Sequence, residues 1–160
     1  MRPDPDVLGI YLNDHLAGAT TGKVLSQHLA EEMRSTPHGS DLRRVADEIA
    51  EDRQHLLEVM SLLGVPARRH KFYAGWLAEK LRLLKLNGRI VRRSHLSTLI
   101  ELETLRLGIE GKSLLWQTLL GLTPTRGLDE TRLKDLVRRA VDQAETVETT
   151  RRGTVGAVFH

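Results

Sequence analysis

Asp52 and His55 stand three residues apart in a stretch of helical periodicity, with Glu48 one turn earlier. That spacing sets a carboxylate and an imidazole on one helix face, where both can reach the same ion. At 3.6 residues per turn Asp52 falls about 60° from Ile49, inside the apolar stripe, and His55 lies at its edge. In the first amphipathic stretch the inward polar residue is His15, with Asp14 on its flank. Glu103 and Glu110 fall within an apolar band made by Leu96, Leu99, Leu107 and Leu114. Carboxylates and imidazoles converging from several helices are the ligand set for iron or manganese, so His15, Asp52, His55 and Glu103 are the candidate metal ligands. The chain has no cysteine, which excludes a disulfide framework, thiolate metal centres and cysteine nucleophiles.

The same residues have a simpler reading. A lone histidine on an apolar face, such as His15, is ordinarily a hydrogen-bonded core residue. Carboxylates buried near Arg53, Arg106 or Lys112 are expected to be paired charges, because an unpaired buried charge is too costly to keep. Other chemistry finds no support: there is no glycine-rich phosphate loop, no Gly-x-Ser-x-Gly elbow and no His-Glu-x-x-His. The expectation is a protein without catalysis and without a resident cofactor, a di-iron or di-manganese centre being the alternative.

The elements that must carry these residues are helices. The 160 residues include 28 leucines and only six aromatics, a balance that favours helix over strand. Asp4-Pro5 starts a helix expected over 5–34, with the stripe Leu8, Leu12, His15, Leu16, Ala19, Gly22 and Ser26. Ala17, Gly18 and Ala19 are small, which predicts close approach of another helix. Pro37 and Gly39 break the chain, and Ser40 is expected to cap a second helix over 40–63, stopped by Gly64 and Pro66. A helix over 66–86 shows Phe72, Tyr73, Trp76, Leu77, Leu83 and Leu84 on one face, and Asn87-Gly88 ends it. The helix expected over 94–120 is apolar nearly all round, which predicts that others surround it. Gly121 to Gly127 reads as a loop, and a last helix over 128–150 carries one narrow stripe before a glycine-containing tail expected to fray.

Short links make the first two and the last two long helices antiparallel pairs, and about 30 residues between the pairs permit a crossover along the length of a bundle. Tyr11 to Gly18, Ala46 to Arg53, Leu77 to Gly88 and Leu102 to Lys112 resemble a group of uncharacterised bacterial ferritin-like proteins, over most of the chain from Tyr11 to about Arg152. The resemblance implies an all-α, up-down four-helix bundle with a long crossover containing an extra amphipathic helix. It implies no particular activity. Metal-binding ferritin relatives carry Glu, Glu-x-x-His, Glu and Glu-x-x-His on their four helices. Here His15, not a glutamate, is the inward residue of the first helix, Asp52 replaces glutamate in the second, and the fourth has no Glu-x-x-His.

Charge divides the chain. Residues 66–93 hold nine Lys or Arg against Glu79 alone, a balance of +8, and the remainder holds 15 against 20, or −5, which together give the formal +3. Lys71, Arg82, Lys85 and Arg92 are therefore candidates for contact with an anionic partner, either nucleic acid or a membrane surface. Such binding would fall steeply with salt, and reversing Arg82 and Lys85 to Glu should abolish retention on heparin. The alternative is that the aromatics dock this segment on the bundle and its charges are solvated. No run of 18 apolar residues is present, and Met1 to Asp6 lacks the basic-then-apolar order of a secretory signal, so a cytoplasmic protein is expected. The leucine supply also leads to an expected homodimer through an apolar helix face.

Overall fold

The computed structural model describes residues 5–68, residue 79 and residues 91–160. These form four helices, α1 Pro5–Glu32, α2 Gly39–Leu62, α3 Val91–Arg126 and α4 Glu130–Phe159, and no strand among the described residues. The stripes read from the sequence become the core. Leu12, Leu16, Leu25 and Leu29 of α1 are buried, as are Leu42, Val45, Ile49, Leu56 and Met60 of α2, and Leu133, Leu136, Ala140 and Val147 of α4. Among the described residues no helix is long and apolar enough to cross a membrane.

Side-chain pairs fix the directions. Tyr11 meets Thr118 and His28 meets Glu101, so α1 and α3 are antiparallel. Arg53 on Thr20 and Ile49 beside Gly22 make α1 and α2 antiparallel. Lys112 on Gln143 and Arg106 on Glu148 do the same for α3 and α4. Consequently α2 and α3 point the same way, and they are joined by the segment 63–90. Asn13, buried, anchors its start: its Nδ2 donates to the Gly9 and Pro66 carbonyls, and its Oδ1 accepts from the Arg68 N–H at 2.7 Å.

The apolar interior falls into two clusters. One joins Leu25, Leu29, Val45, Ile49, Leu102, Leu105, Ile109 and Val147. The other joins Leu12, Leu16, Leu56, Met60, Trp116, Leu119, Leu133 and Leu136. Between them in register lie Asp52 of α2, Lys112 of α3 and Gln143 of α4. At this level α1 offers Gly18, Ala19 and Gly22.

Several boundaries differ from the sequence reading. The cap of α2 is His38, which makes no side-chain cap bond, and not Ser40. Gly39 begins the helix because a Cβ there would lie 2.6 Å from the Arg34 carbonyl oxygen. Backbone atoms cannot yield as a side-chain tip can. Gly39→Ala is therefore expected to cost about 1–3 kcal/mol, read as a lower urea midpoint at unchanged m-value.

Residues 65–68 are irregular, so no helix starts at Pro66, and the rest of the helix expected over 66–86 lies outside the described residues. Helix α3 continues through the expected 121–127 loop as far as Arg126, with Pro124 in its last turn. A proline there removes only one late hydrogen bond, and Gly127, at φ 67°, closes the helix with its N–H on the Thr123 carbonyl. Nor does the tail of α4 end near Thr150. Thr150 and Thr154 are buried and bond carbonyls one turn back. Gly153 makes room for the His38 ring, since a Cβ there would lie 2.7 Å from its Nε2.

Two packing expectations also fail. Helix α3 is not surrounded: Leu96, Leu107 and Leu114 are exposed together with Ile100, and of the band Leu96, Leu99, Leu107 and Leu114 only Leu99 is buried. At Gly18 no neighbour lies within 4 Å of a hypothetical Cβ, so the small residues of α1 border a gap instead of a close helix contact.

Candidate functional site

The layer between the two apolar clusters is built from charged groups. Asp52 is 2% exposed. Lys112 Nζ donates to Asp52 Oδ2 at 2.6 Å and to Gln143 Oε1 at 2.5 Å. The Gln143 amide donates in turn to Asp52 Oδ2 and to Glu48 Oε2, both at 3.1 Å. Arg139 Nε lies 3.3 Å from Asp52 Oδ1, while its Nη2 donates to Glu51 and to the Glu48 carbonyl. Burial pulls the Lys112 ammonium below its ordinary value, and the Asp52 carboxylate opposes that shift. The ion pair is thus held by geometry that gives each partner two bonds or more, the condition for burying opposite charges.

The sequence-derived metal candidates do not meet. Asp52 belongs to Lys112 and Gln143. His55, three residues on, is at the α2–α4 surface, its Nδ1 2.5 Å from the Arg132 guanidinium and 3.5 Å from Glu58. Glu103 is exposed and lies 3.5 Å from Arg151. His15 packs edge-on against Tyr11 with ring centroids 4.7 Å apart, and burial lowers its pKa and favours the neutral ring. Among the described residues no group of three or more His, Asp or Glu could hold a metal ion. An iron or manganese centre therefore does not fit this donor set: of its two carboxylates the buried one, Asp52, already accepts from an ammonium, and a guanidinium sits on the histidine beside it. Of the anion-binding candidates, Lys71, Arg82 and Lys85 lie outside the described residues. Arg92 belongs to the first turn of α3, and its side chain is likewise outside them.

The charged partners of Asp52 are Lys112 and Arg139, not Arg53. Arg106 pairs with Glu148 and Glu110. Glu148 also accepts from Arg151 and Arg152, and the Arg151 hydrogen bond leads in holding its carboxyl down at about 2. Gln143 and Arg139 escaped the sequence reading, although Gln143 sits on the α4 stripe between Ala140 and Val147, where a polar residue signals a buried partner.

Beside the polar layer lies a cavity of about 360 Å³ between α1 and α3. Most of its wall is apolar, including Leu25, Ile49, Leu56, Leu105, Ile109 and Leu115. Asp14, His15, Thr21, Asp52, Arg53, Thr104 and Lys112 are its polar residues. Its existence follows from sequence: α1 presents Gly18, Ala19 and Gly22, and α3 presents Gly108 and Gly111, so neither helix fills the space between them. Gly18, Thr104 and Gly108 are exposed as well as lining it, which places the mouth on the α1–α3 surface. Native interiors hold few voids larger than a water molecule, whereas small-molecule sites start at about 300 Å³ and are mostly apolar with a few placed polar groups.

Further along the same seam, Glu101 of α3 is buried 3.6 Å from His28 of α1. Burial, with help from Glu32, pushes its carboxyl up to about 7 from an ordinary 4.5. The folded state then binds the proton more tightly than the unfolded state. Stability from this group is greatest at low pH and falls as pH rises from about 4.5 to about 7. Glu101→Gln should flatten that part of the pH–stability profile and raise the melting temperature at pH 8. An unchanged profile in thermal scans from pH 4 to 8 would contradict the assignment.

Comparisons with protein families, with curated proteins and with solved structures give no match for this chain.

Proposed function

We propose that this chain is a non-catalytic, ferritin-like helical bundle with a binding role, and that its binding site is the cavity between α1 and α3. The cavity itself carries the reading: about 360 Å³ of mostly apolar space, open at one side, beside a charged layer in which Lys112, Asp52 and Gln143 bond one another. The Lys112–Asp52–Gln143 cluster supports the absence of catalysis, because it commits the buried carboxylate to a structural pair.

Two measurements test this. A neutral apolar fluorophore such as 1-aminoanthracene should bind the full chain and fail to bind Gly108→Leu. That substitution fills the mouth without meeting any neighbour within 4 Å of its Cβ, and leucine favours the helix over glycine. Equal binding by both proteins counts against the cavity. Elemental analysis of protein purified without chelator should find iron, manganese and zinc well below stoichiometric. Stoichiometric iron or manganese that disappears in Asp52→Ala or His55→Ala would replace this reading with the metal one.

A second reading, self-association, rests on a separate observation. Leu96, Ile100, Leu107 and Leu114 are all exposed on the outward side of α3, along about 27 Å of helix at 1.5 Å per residue. Contiguous exposed apolar strips mark association surfaces, and a second copy of this chain is the proposed occupant. Light scattering should give a dimer mass, and Leu107→Glu should convert it to monomer. A monomeric parent protein ends this reading.

A further inference from the structure

The polar atoms in the cavity wall differ in what they can do. Trp116 is 1% exposed, and its Nε1–H is buried without any acceptor. An indole N–H is a donor only, and with its nitrogen sealed from the cavity as well as from solvent it offers a ligand nothing there. Lys112 stands one helical turn before Trp116 on α3. Its ammonium has three donors, of which Asp52 and Gln143 take two. Arg53, on α2, donates Nε to Thr20 Oγ1 at 3.0 Å and has no carboxylate partner among the described residues. Of the two carboxylates that line the cavity, Asp52 is already engaged and Asp14 is exposed. His15 is shifted toward its neutral form and adds no charge. The cavity thus offers unused donors on Arg53 and Lys112 at its polar wall, and hydrocarbon elsewhere.

Resting on the binding role proposed above, we infer that the ligand is a medium-chain monocarboxylic acid. Its alkyl chain would lie along Leu25, Ile49, Leu105 and Ile109, and its carboxylate would accept from Arg53 and Lys112. A carboxylate brings two oxygens and about four lone-pair positions, so it can answer several donors at once. Size sets the chain length. A cavity of about 150 Å³ accommodates benzene, so this one accommodates roughly a dozen non-hydrogen atoms, which is the size of decanoate. A long-chain lipid with a large headgroup exceeds it.

Isothermal titration calorimetry on the full chain tests the inference with decanoate and with decanol, which keeps the chain and removes the charge. Decanoate should bind with 1:1 stoichiometry and at least tenfold more tightly than decanol. Arg53→Gln and Arg53→Met should each weaken decanoate by roughly tenfold while leaving decanol within about twofold, since each removes a cationic donor to a charged acceptor. Gly108→Leu should remove binding of both. Circular dichroism melts of the three variants confirm that they fold. Decanol binding as tightly as decanoate would overturn the acid assignment and leave the cavity reading standing. Binding of neither compound, with 1-aminoanthracene still bound, would also reject the acid alone. If the fluorophore does not bind either, both the ligand class and the binding role fall. Decanoate binding unaffected by Gly108→Leu would place the site elsewhere and overturn the inference.

Discussion

Replacing Lys112 with methionine is expected to lower stability by about 3–5 kcal/mol, the range for removing one partner of a buried ion pair. The volume changes little, so the loss reports electrostatics and not packing. Asp52, 2% exposed, would keep Arg139 as its nearest cation, but Asp52 Oδ1 and Arg139 Nε are buried and make no hydrogen bond with each other or with anything else. Gln143 would also lose the ammonium that its Oε1 accepts from. The control is the double variant Asp52→Leu with Lys112→Met. Apolar replacement of a whole buried pair is often neutral or stabilising, so the double variant should recover at least half of the single variant's loss in urea unfolding. A Lys112→Met variant within about 1 kcal/mol of the parent would mean that the pair is not what holds this layer together.

Leu102→Ala should cost about 3–5 kcal/mol, and Leu107→Ala less than about 0.5 kcal/mol in the folded monomer. The two residues lie on one helix, five positions apart, and carry the same side chain. Leu102 is completely buried, while Leu107 is 68% exposed. Truncating the first leaves a cavity against Leu25, Leu29, Val45 and their neighbours, whereas truncating the second removes atoms already in water. Comparable losses for both, measured by denaturant unfolding at low protein concentration, would put Leu107 in a core and contradict the observed packing.

That contrast shows where the sequence is informative. In α2 and α4 polar residues occupy one side of each turn, so the buried set follows from periodicity alone, down to the choice among Leu42, Val45 and Ile49. In α3 leucines occur on almost every side. Hydrophobic pattern marks what can be buried, but not which face finds a neighbour, and nothing in Leu96 or Leu114 distinguishes them from Leu105. The charged layer was half legible. Asp52 inside an apolar stripe signalled a buried carboxylate in need of a partner, yet its partners lie 60 and 91 residues away, at Lys112 and Gln143. A three-residue spacing to His55 was a local feature of α2 and carried no information about Arg132, which claims that ring from α4. The cavity had a sequence signal, the glycines and alanine at 18, 19 and 22. Ala17, Gly18 and Ala19 read as a tight helix contact because small residues permit approach, and Gly18, Ala19 and Gly22 mark a gap because glycines at 108 and 111 sit on the helix facing them.

The shared direction of α2 and α3 has a kinetic consequence. Each tight helical pair is joined by a link of only a few residues, so its contacts have low contact order and can form quickly. Joining the two pairs requires closing the stretch from 63 to 90, and loop-closure entropy is spent before the interface between pairs returns anything. Formation of the pairs should precede their docking, and the late step should bring α1 onto α3. Substitutions along that seam, such as Glu101→Gln, should then alter the unfolding rate and leave the refolding rate nearly unchanged, a pattern that stopped-flow chevron plots would reveal. Refolding that shifts as much as unfolding would move docking into the rate-limiting transition state.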